Sequence, residues 1–167
     1  MNYAIFFLTA LIPFVIHFLW YSPISFMKPW LRTSGLRKDD LSKGRMGVVF
    51  LLTYLLSCML TAALVGIVIH QTAIGSIMQQ EPGIKDPNSE ISKFVQAFMA
   101  RYGNNFRTFK HGAFHGTLSA LFFALPVLGI NALFERKRFS YVAIHTGYWI
   151  VTLALMGGVI CQFLKLS

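Results

Sequence analysis

Five histidines are the side chains in this sequence with the greatest capacity for chemistry. His17 and His145 each lie about one to two helical turns inside an apolar segment, counted from the same end of a bundle. His70 closes another apolar segment, while His111 and His115 open the next one and share a helical face at i and i+4. The spacing therefore predicts a histidine pair near one end of a bundle and a histidine trio near the other.

Imidazole chemistry leaves three interpretations of these histidines open. Neutral histidines can form hydrogen bonds between helices or anchor them at an interface, and this interpretation is favoured. The trio could bind a transition metal, although no Asp, Glu or Cys offers itself as a fourth ligand. The pair, His17 and His145, could hold haem non-covalently between facing helices, since the chain has no Cys-x-x-Cys-His motif. We expect no cofactor, with haem or a transition metal as the alternatives.

The segments that must position these histidines have the length of membrane-spanning helices. The chain has 167 residues, of which 55% are hydrophobic and 13% charged, against about 25% charged in soluble proteins. A helix crosses about 30 Å of hydrocarbon in roughly 20 residues, and four stretches without Asp, Glu, Lys or Arg are long enough to do so. The sequence predicts one all-α membrane domain over residues 1–167, a four-helix bundle with spans at about 3–21, 47–70, 111–134 and 140–164.

The basic residues indicate how the bundle is oriented. The formal net charge is +9, but the charges lie in loops and not in a separate basic domain or tail, so we expect no nucleic-acid partner. The dense loop 28–45 and the short "ERKR" turn at 135–138 are predicted to be cytoplasmic by the positive-inside rule. Both termini and the loop 71–110 then lie outside.

The long outer loop contains a predicted amphipathic helix at about 89–102. Apolar side chains recur there with helical spacing: Ile91, Phe94, Val95, Phe98 and Tyr102. Such a helix could lie in the outer membrane interface or pack over the mouth of the bundle, and the sequence favours neither arrangement.

The segment "HFLWYSPISFMKPW" ends the first span with a group of interfacial residue types. Trp20, Tyr21 and Trp30 are typical of the aromatic belt at headgroup level. Pro23 ends the helix, and Lys28 can extend its ammonium group towards phosphates. The residue types predict an anchor at the cytoplasmic end of the first span.

Three motifs carry a resemblance to a known family. They are "WYSPISFMKPW" at the end of the first span, "GAFHG" in the third and "GYWIVTLALMGGVI" in the fourth. With these motifs the chain resembles DUF1761, a family of bacterial integral membrane proteins of unknown function, over nearly its whole length. The resemblance implies a multi-pass protein of the bacterial inner membrane and brings no activity with it.

Small residues predict where helices approach one another closely. The third span carries them at four-residue spacing: Gly112, Gly116, Ala120 and Ala124. The fourth contributes Gly157 and Gly158. Such stripes allow close helix contact in lipid, and packing within the chain is favoured here over a homodimer interface. Pro126 is expected to kink the third span.

The functional prediction depends largely on what the spans lack. No acidic or basic side chain lies in the middle of a span, and no catalytic motif is present, so we expect no enzyme and little basis for ion-coupled transport. The leading hypothesis is an accessory or packing subunit, or a homo-oligomer, that binds lipid or another apolar ligand. One alternative is a small oligomeric transporter or channel lined by Thr53, Ser57 and Thr61. The other is a histidine-ligated haem or metal protein. Expected partners are membrane lipids, a second copy or a larger membrane complex.

Overall fold

The bundle is built from helices alone in the part of the chain that the structure describes. The computed structural model describes residues 2–42 and 44–165, which contain helices and no strand. Four of its segments are long and apolar enough to cross a membrane: Tyr3–Trp20, Met46–Val68, Phe109–Phe134 and Phe139–Phe163. The predicted all-α membrane architecture, with a further short helix between spans two and three, is confirmed.

Span one consists of two helices, α1 (Tyr3–Thr9) and α2 (Ile12–Trp20). The sequence predicted one continuous helix to Tyr21, and the structure differs because Pro13 lies in the first turn of α2. A proline has no N–H for the carbonyl four residues earlier, but its fixed φ suits the start of a helix. The first span therefore ends one helix and starts another within the membrane.

Span two is the helix α4 (Met46–Val68), preceded by the short helix α3 (Met27–Ser34) and a 3₁₀ turn at Lys38–Ser42. It ends two residues before the predicted boundary, because Ile69 is extended. His70 consequently lies outside the helix, in the turn that leads to α5 (Thr72–Ile77).

Span three changes its helical geometry in the middle. The helix α7 (Phe109–Ser119) continues as a π-helical segment, Ala120–Ala124, and then as α8 (Leu125–Phe134). The widened turn immediately precedes Pro126, which cannot donate to the carbonyl of Phe122 and whose ring crowds that carbonyl. The expected distortion at this proline is therefore present as a π turn.

Span four, α9 (Phe139–Phe163), is the central helix of the bundle. Half of the residues in its apolar 18-residue stretch are buried, compared with 17% of the residues in the corresponding stretch of each of the other three spans. Its closest neighbour is α7: a Cβ atom on Gly112 would collide with the carbonyl oxygen of Gly157, and one on Gly116 with the carbonyl oxygen of Leu153. The small residues of spans three and four thus face one another within one chain.

The outer loop contains α6 (Glu90–Tyr102), the helix expected at 89–102. Ser89 caps it by accepting a hydrogen bond from the Ser92 N–H at 3.2 Å. Its apolar face lines a small groove together with residues around α5: Ile74, Ile77, Met78, Phe94, Val95 and Phe98. The loop therefore packs partly on itself, and its position relative to the lipid interface stays a prediction.

The loops divide between the two ends of the bundle. Lys137 Nζ donates to the carbonyl of Ser34 at 3.2 Å, so residues 28–42 and 135–138 lie together at what we call the basic end. At the opposite end the N–H of Asn2 donates to the carbonyl of Lys165 at 2.9 Å. We call this the histidine end, after His70 and His111. Which end faces the cytoplasm stays a prediction.

Candidate functional site

A cavity of about 350 Å³ lies between spans one, two and four, towards the basic end. It contains both members of the predicted histidine pair, His17 and His145. Its aromatic wall comes from the residue that follows α2 and from α3 and α9, and includes Tyr21, Trp30, Tyr148 and Trp149. Counting helical turns therefore placed the pair at one depth, and the fold places both residues in one cavity. The haem alternative stays a prediction.

Tyr21 and His145 form the polar centre of this cavity. The Tyr21 hydroxyl lies 2.8 Å from Nδ1 of His145, and Nε2 of His145 is buried with no hydrogen-bond partner among the described residues. When the hydroxyl donates to Nδ1, the ring proton sits on Nε2, which becomes a donor. Leaving a buried donor without an acceptor costs about 1–3 kcal/mol. A ligand in the cavity that offers an acceptor to Nε2 would remove this cost.

Tyr21 is held by rings on several sides. Its ring centroid lies 4.7 Å from that of His17, 4.9 Å from that of Trp30 and 5.5 Å from that of Tyr148. Burial, and to a smaller degree the neighbouring Tyr148 and Tyr141, raise the pKa of Tyr21 above its ordinary value of 10.0. The phenol is therefore a neutral hydrogen-bond donor at any physiological pH.

Trp20 joins spans one and four. Its indole N–H donates to the carbonyl of Ile144 at 3.1 Å, and its ring stacks on Phe26 with centroids 4.6 Å apart. A Cβ atom on Gly147 would lie 2.8 Å from Cζ2 of this ring, so the glycine is what allows the indole to approach. Within the predicted anchor segment, Pro23 and Lys28 are exposed, whereas Trp20 is half-buried.

A second, larger cavity adjoins the first. It is an apolar groove of about 460 Å³ between spans two, three and four, towards the middle of the bundle. Leu60 and Trp149 line both cavities. A polar, aromatic compartment therefore lies directly beside an apolar one, with Leu60 and Trp149 as their shared wall.

The predicted histidine trio forms a compact cluster at the histidine end. Nε2 of His111 lies 2.9 Å from Nε2 of His70. The ring centroid of His115 lies 4.5 Å from that of His111 and 4.8 Å from that of His70. Thr108 starts α7 at this point by accepting from the His111 N–H at 3.2 Å, so the cap positions the first of the two helical histidines.

Hydrogen bonds tie the surrounding loops to the ends of the spans. Gln71 Nε2 donates to the carbonyl of Asn105 at 2.8 Å, and the thiol of Cys161 lies 3.4 Å from the carbonyl of Val68. The Arg107 guanidinium donates to the carbonyl of Leu164, and burial lowers its pKa. The turn containing His70 and the start of α7 are therefore attached to the same part of span four.

The family match includes both regions. The model of the family described as "Protein of unknown function (DUF1761)" matches residues 4–161. The chain belongs to the DUF1761 family. No curated protein and no solved structure matches it. Since the DUF1761 match runs through all four spans, the two cavities and the histidine cluster lie inside the family's domain.

Two of the aromatic residues that line the cavity were not singled out as site residues from the sequence. Tyr148 and Trp149 follow His145 at i+3 and i+4, a spacing that places them on the same helical face. That signal was available, but Tyr148 also donates to the carbonyl of Pro13 at 3.0 Å, a contact that depends on the break in span one. Its position in the cavity follows from the tertiary structure.

Proposed function

We propose that this DUF1761 protein is a non-enzymatic membrane protein that binds an amphiphile with a flat, carbonyl-bearing ring and one hydrocarbon tail. This is the chemistry of an isoprenoid quinone. The observation that carries the proposal is that the two cavities adjoin at Leu60 and Trp149, with Nε2 of His145, which has no partner among the described residues, in the polar one. A ligand that occupies both would reach across this shared wall. The protein would act as an accessory subunit or homo-oligomer that holds this ligand.

The polar compartment favours an uncharged ring over a phosphate headgroup. Among the described residues, no Lys, Arg, Asp or Glu lines it, so an anionic head would have no counter-charge. Aromatic faces pack well against a flat ring, and a carbonyl oxygen can accept from Nε2 of His145. The bond from Tyr21 to Nδ1 would hold the imidazole in the tautomer that donates.

The apolar groove suits the tail of such a ligand. Its wall includes Leu64, Leu153 and Phe123, and Phe123 is 71% exposed at the surface of the bundle. Each cavity falls within the range of about 300–1,000 Å³ that is usual for small-molecule sites. Because the tail leaves lipid and not water, packing and the hydrogen bond to the ring would supply the affinity.

The stripe considered for a channel contributes to the same cavity. Thr53 and Ser57 line the polar compartment, and the hydroxyl of Thr61 donates to the carbonyl of Ser57 at 2.8 Å. Since the Thr61 hydroxyl is already hydrogen-bonded within its own helix, the stripe offers polar groups to this cavity and not to a path along the whole span, which supports a role in binding. A transporter assembled from several copies would need a continuous polar path across the membrane.

The test is a binding titration with a benzoquinone that carries a decyl tail. Binding is measured by the quenching of tryptophan fluorescence. We expect saturable quenching, since Trp30 and Trp149 line the polar compartment. His145→Ala should weaken binding about tenfold, because one hydrogen bond contributes about 0.5–1.5 kcal/mol and 1.4 kcal/mol is a factor of ten.

The matched controls use tyrosines. Tyr21→Phe should weaken binding by removing the hydroxyl that holds the imidazole, whereas Tyr3→Phe changes an exposed ring, 62% accessible, and should bind as the parent does. Non-saturable quenching, or equal affinities in the parent and His145→Ala, would contradict the proposal. A native mass spectrum showing phospholipid retained in preference to the quinone would replace it with a lipid-binding role.

A further inference from the structure

We propose a second, independent site: His70, His111 and His115 bind one divalent transition-metal ion of the zinc or copper class at the histidine end. Each residue offers one imidazole nitrogen, and these ligand atoms all lie within 4.8 Å of one another. The cluster lies beyond the end of α4 and in the first two turns of α7, away from the two cavities.

The distances fit a metal with small side-chain rotations. A tetrahedral zinc ion holds imidazole nitrogens at about 2.0–2.1 Å, which separates two such nitrogens by about 3.4 Å. The two Nε2 atoms of His70 and His111 are 2.9 Å apart and would open slightly around an ion. His111 and His115 are one helical turn apart on one face, so both can reach the same point.

The ligand chemistry selects the class of ion. Three neutral imidazoles suit zinc, copper, nickel or iron, whereas magnesium and calcium require oxygen ligands. The fourth position need not be a protein atom, because sites with three histidines can complete the coordination with water. His70 is exposed, which leaves room for a water ligand, so the absence of a carboxylate or thiolate among the described residues of the cluster is no obstacle.

Two features of the surroundings oppose a cation. The start of α7 carries the positive end of the helix dipole, and Arg107 and Lys110 are close along the chain. Arg107 directs its guanidinium to the carbonyl of Leu164, and Lys110 is exposed to solvent, which screens it. Direct bonds from three imidazoles outweigh these weaker electrostatic effects.

A bound ion would connect two parts of the chain that are far apart in sequence. His70 and His111 are separated by 41 positions, which include the whole outer loop. The ion would link the turn after span two to the start of span three, and the three imidazoles are brought together only in the folded chain, so the ion binds the folded state in preference to the unfolded one. Metal binding should therefore raise the melting temperature.

The experiment uses the full chain, purified in mild detergent through a tag without histidines and treated with a chelator. Cobalt(II) is added as a spectroscopic probe, and zinc retained after gel filtration is measured by mass spectrometry. We expect one ion per chain, the visible absorption of tetrahedral cobalt, and a higher melting temperature with zinc. His111→Ala and His115→Ala should abolish all three.

The matched control is Gln79→Ala, which changes an exposed polar side chain of the same outer loop away from the histidine cluster, and should bind as the parent does. His70→Gln, at an exposed position outside the helices, gives a second ligand variant if the α7 variants fail to fold. The inference is overturned if the parent retains no zinc, or if the folded ligand variants retain as much as the parent.

Discussion

Among single residues, Tyr21 has a different role in the fold from the one that its sequence position predicts. From sequence it is a ring in an aromatic belt, one of several at the end of span one. In the fold its hydroxyl contacts His145, and its ring lies against His17 and Trp30. The residue thus connects the end of α2 with α3 and α9 around the polar compartment, and its chemistry is that of a half-buried phenol.

Stability should fall at alkaline pH in a way that depends on Tyr21. Its raised pKa means that the unfolded chain loses the phenolic proton near pH 10 while the folded chain retains it. The contribution of Tyr21 is therefore complete below about pH 10 and is lost as the pH rises further. Melting temperatures between about pH 9 and pH 11 should decline more steeply in the parent than in Tyr21→Phe. Equal slopes would show that the phenol is not held protonated by the fold.

Some of the candidate site could be predicted from the residues themselves. The rise of a helix is regular, so counting turns was enough to place His17 and His145 at one depth, and the tertiary structure brings both to the same cavity. The hydrogen bond between Tyr21 and His145 could not be predicted, because it depends on how α2 and α9 are rotated about their axes. Span sequences that are apolar on every face carry little information about that rotation.

The π turn in span three explains an exception in the small-residue stripe. Regular α-helical spacing would put all four small residues on one face, and Gly112, Gly116 and Ala120 do face span four. The wider turn from Ala120 rotates the following residues, so Ala124 lines the apolar groove instead. The proline that distorts the helix thereby also changes which side of it forms the groove.

The close approach of α7 and α9 should make one glycine far less tolerant than another in the same span. Gly116→Ala brings a Cβ atom against the Leu153 carbonyl and should lower the free energy of unfolding by about 1–3 kcal/mol or more. Gly129→Ala meets nothing within 4 Å and should be neutral or stabilising by roughly 0.5–1 kcal/mol. Unfolding titrations in SDS measure both. Similar values for the two variants would refute the intramolecular contact.

Element boundaries show where composition stops being informative. The absence of charge identified all four spans, because crossing hydrocarbon requires it. Only Pro13 indicated that span one is divided into two helices. Counting apolar residues does not reveal this division, because proline is itself apolar and differs in lacking a backbone N–H. The early end of α4 has no marker in its apolar sequence, and it is this end that frees His70 to meet the start of α7.

At the scale of the whole molecule, the four spans are unequally embedded. Span four is central, whereas α4 buries only four side chains, along one stripe: Ser57, Thr61, Leu64 and Val68. Its remaining faces expose large apolar residues such as Leu56 and Met59. Such a surface is stable in contact with lipid, which agrees with the membrane location that composition predicted.

The orientation of the bundle is testable with two cysteines. We expect Gln80→Cys, in the outer loop, to react with a membrane-impermeant maleimide in intact cells, and Leu36→Cys, at the basic end, to react only after permeabilisation. Both positions are exposed, and the native cysteines, Cys58 and Cys161, lie within spans. The reverse labelling pattern would mean that the basic loops lie outside.

The groove between spans two, three and four opens sideways, through residues such as Phe123 and Ile67 at the surface of the bundle. A molecule that occupies it would enter and leave within the plane of the bilayer without crossing water. Occupancy would then follow the mole fraction of that molecule among the surrounding lipids, whatever its solubility in the aqueous phase. Changes in membrane composition alone would fill or empty the protein.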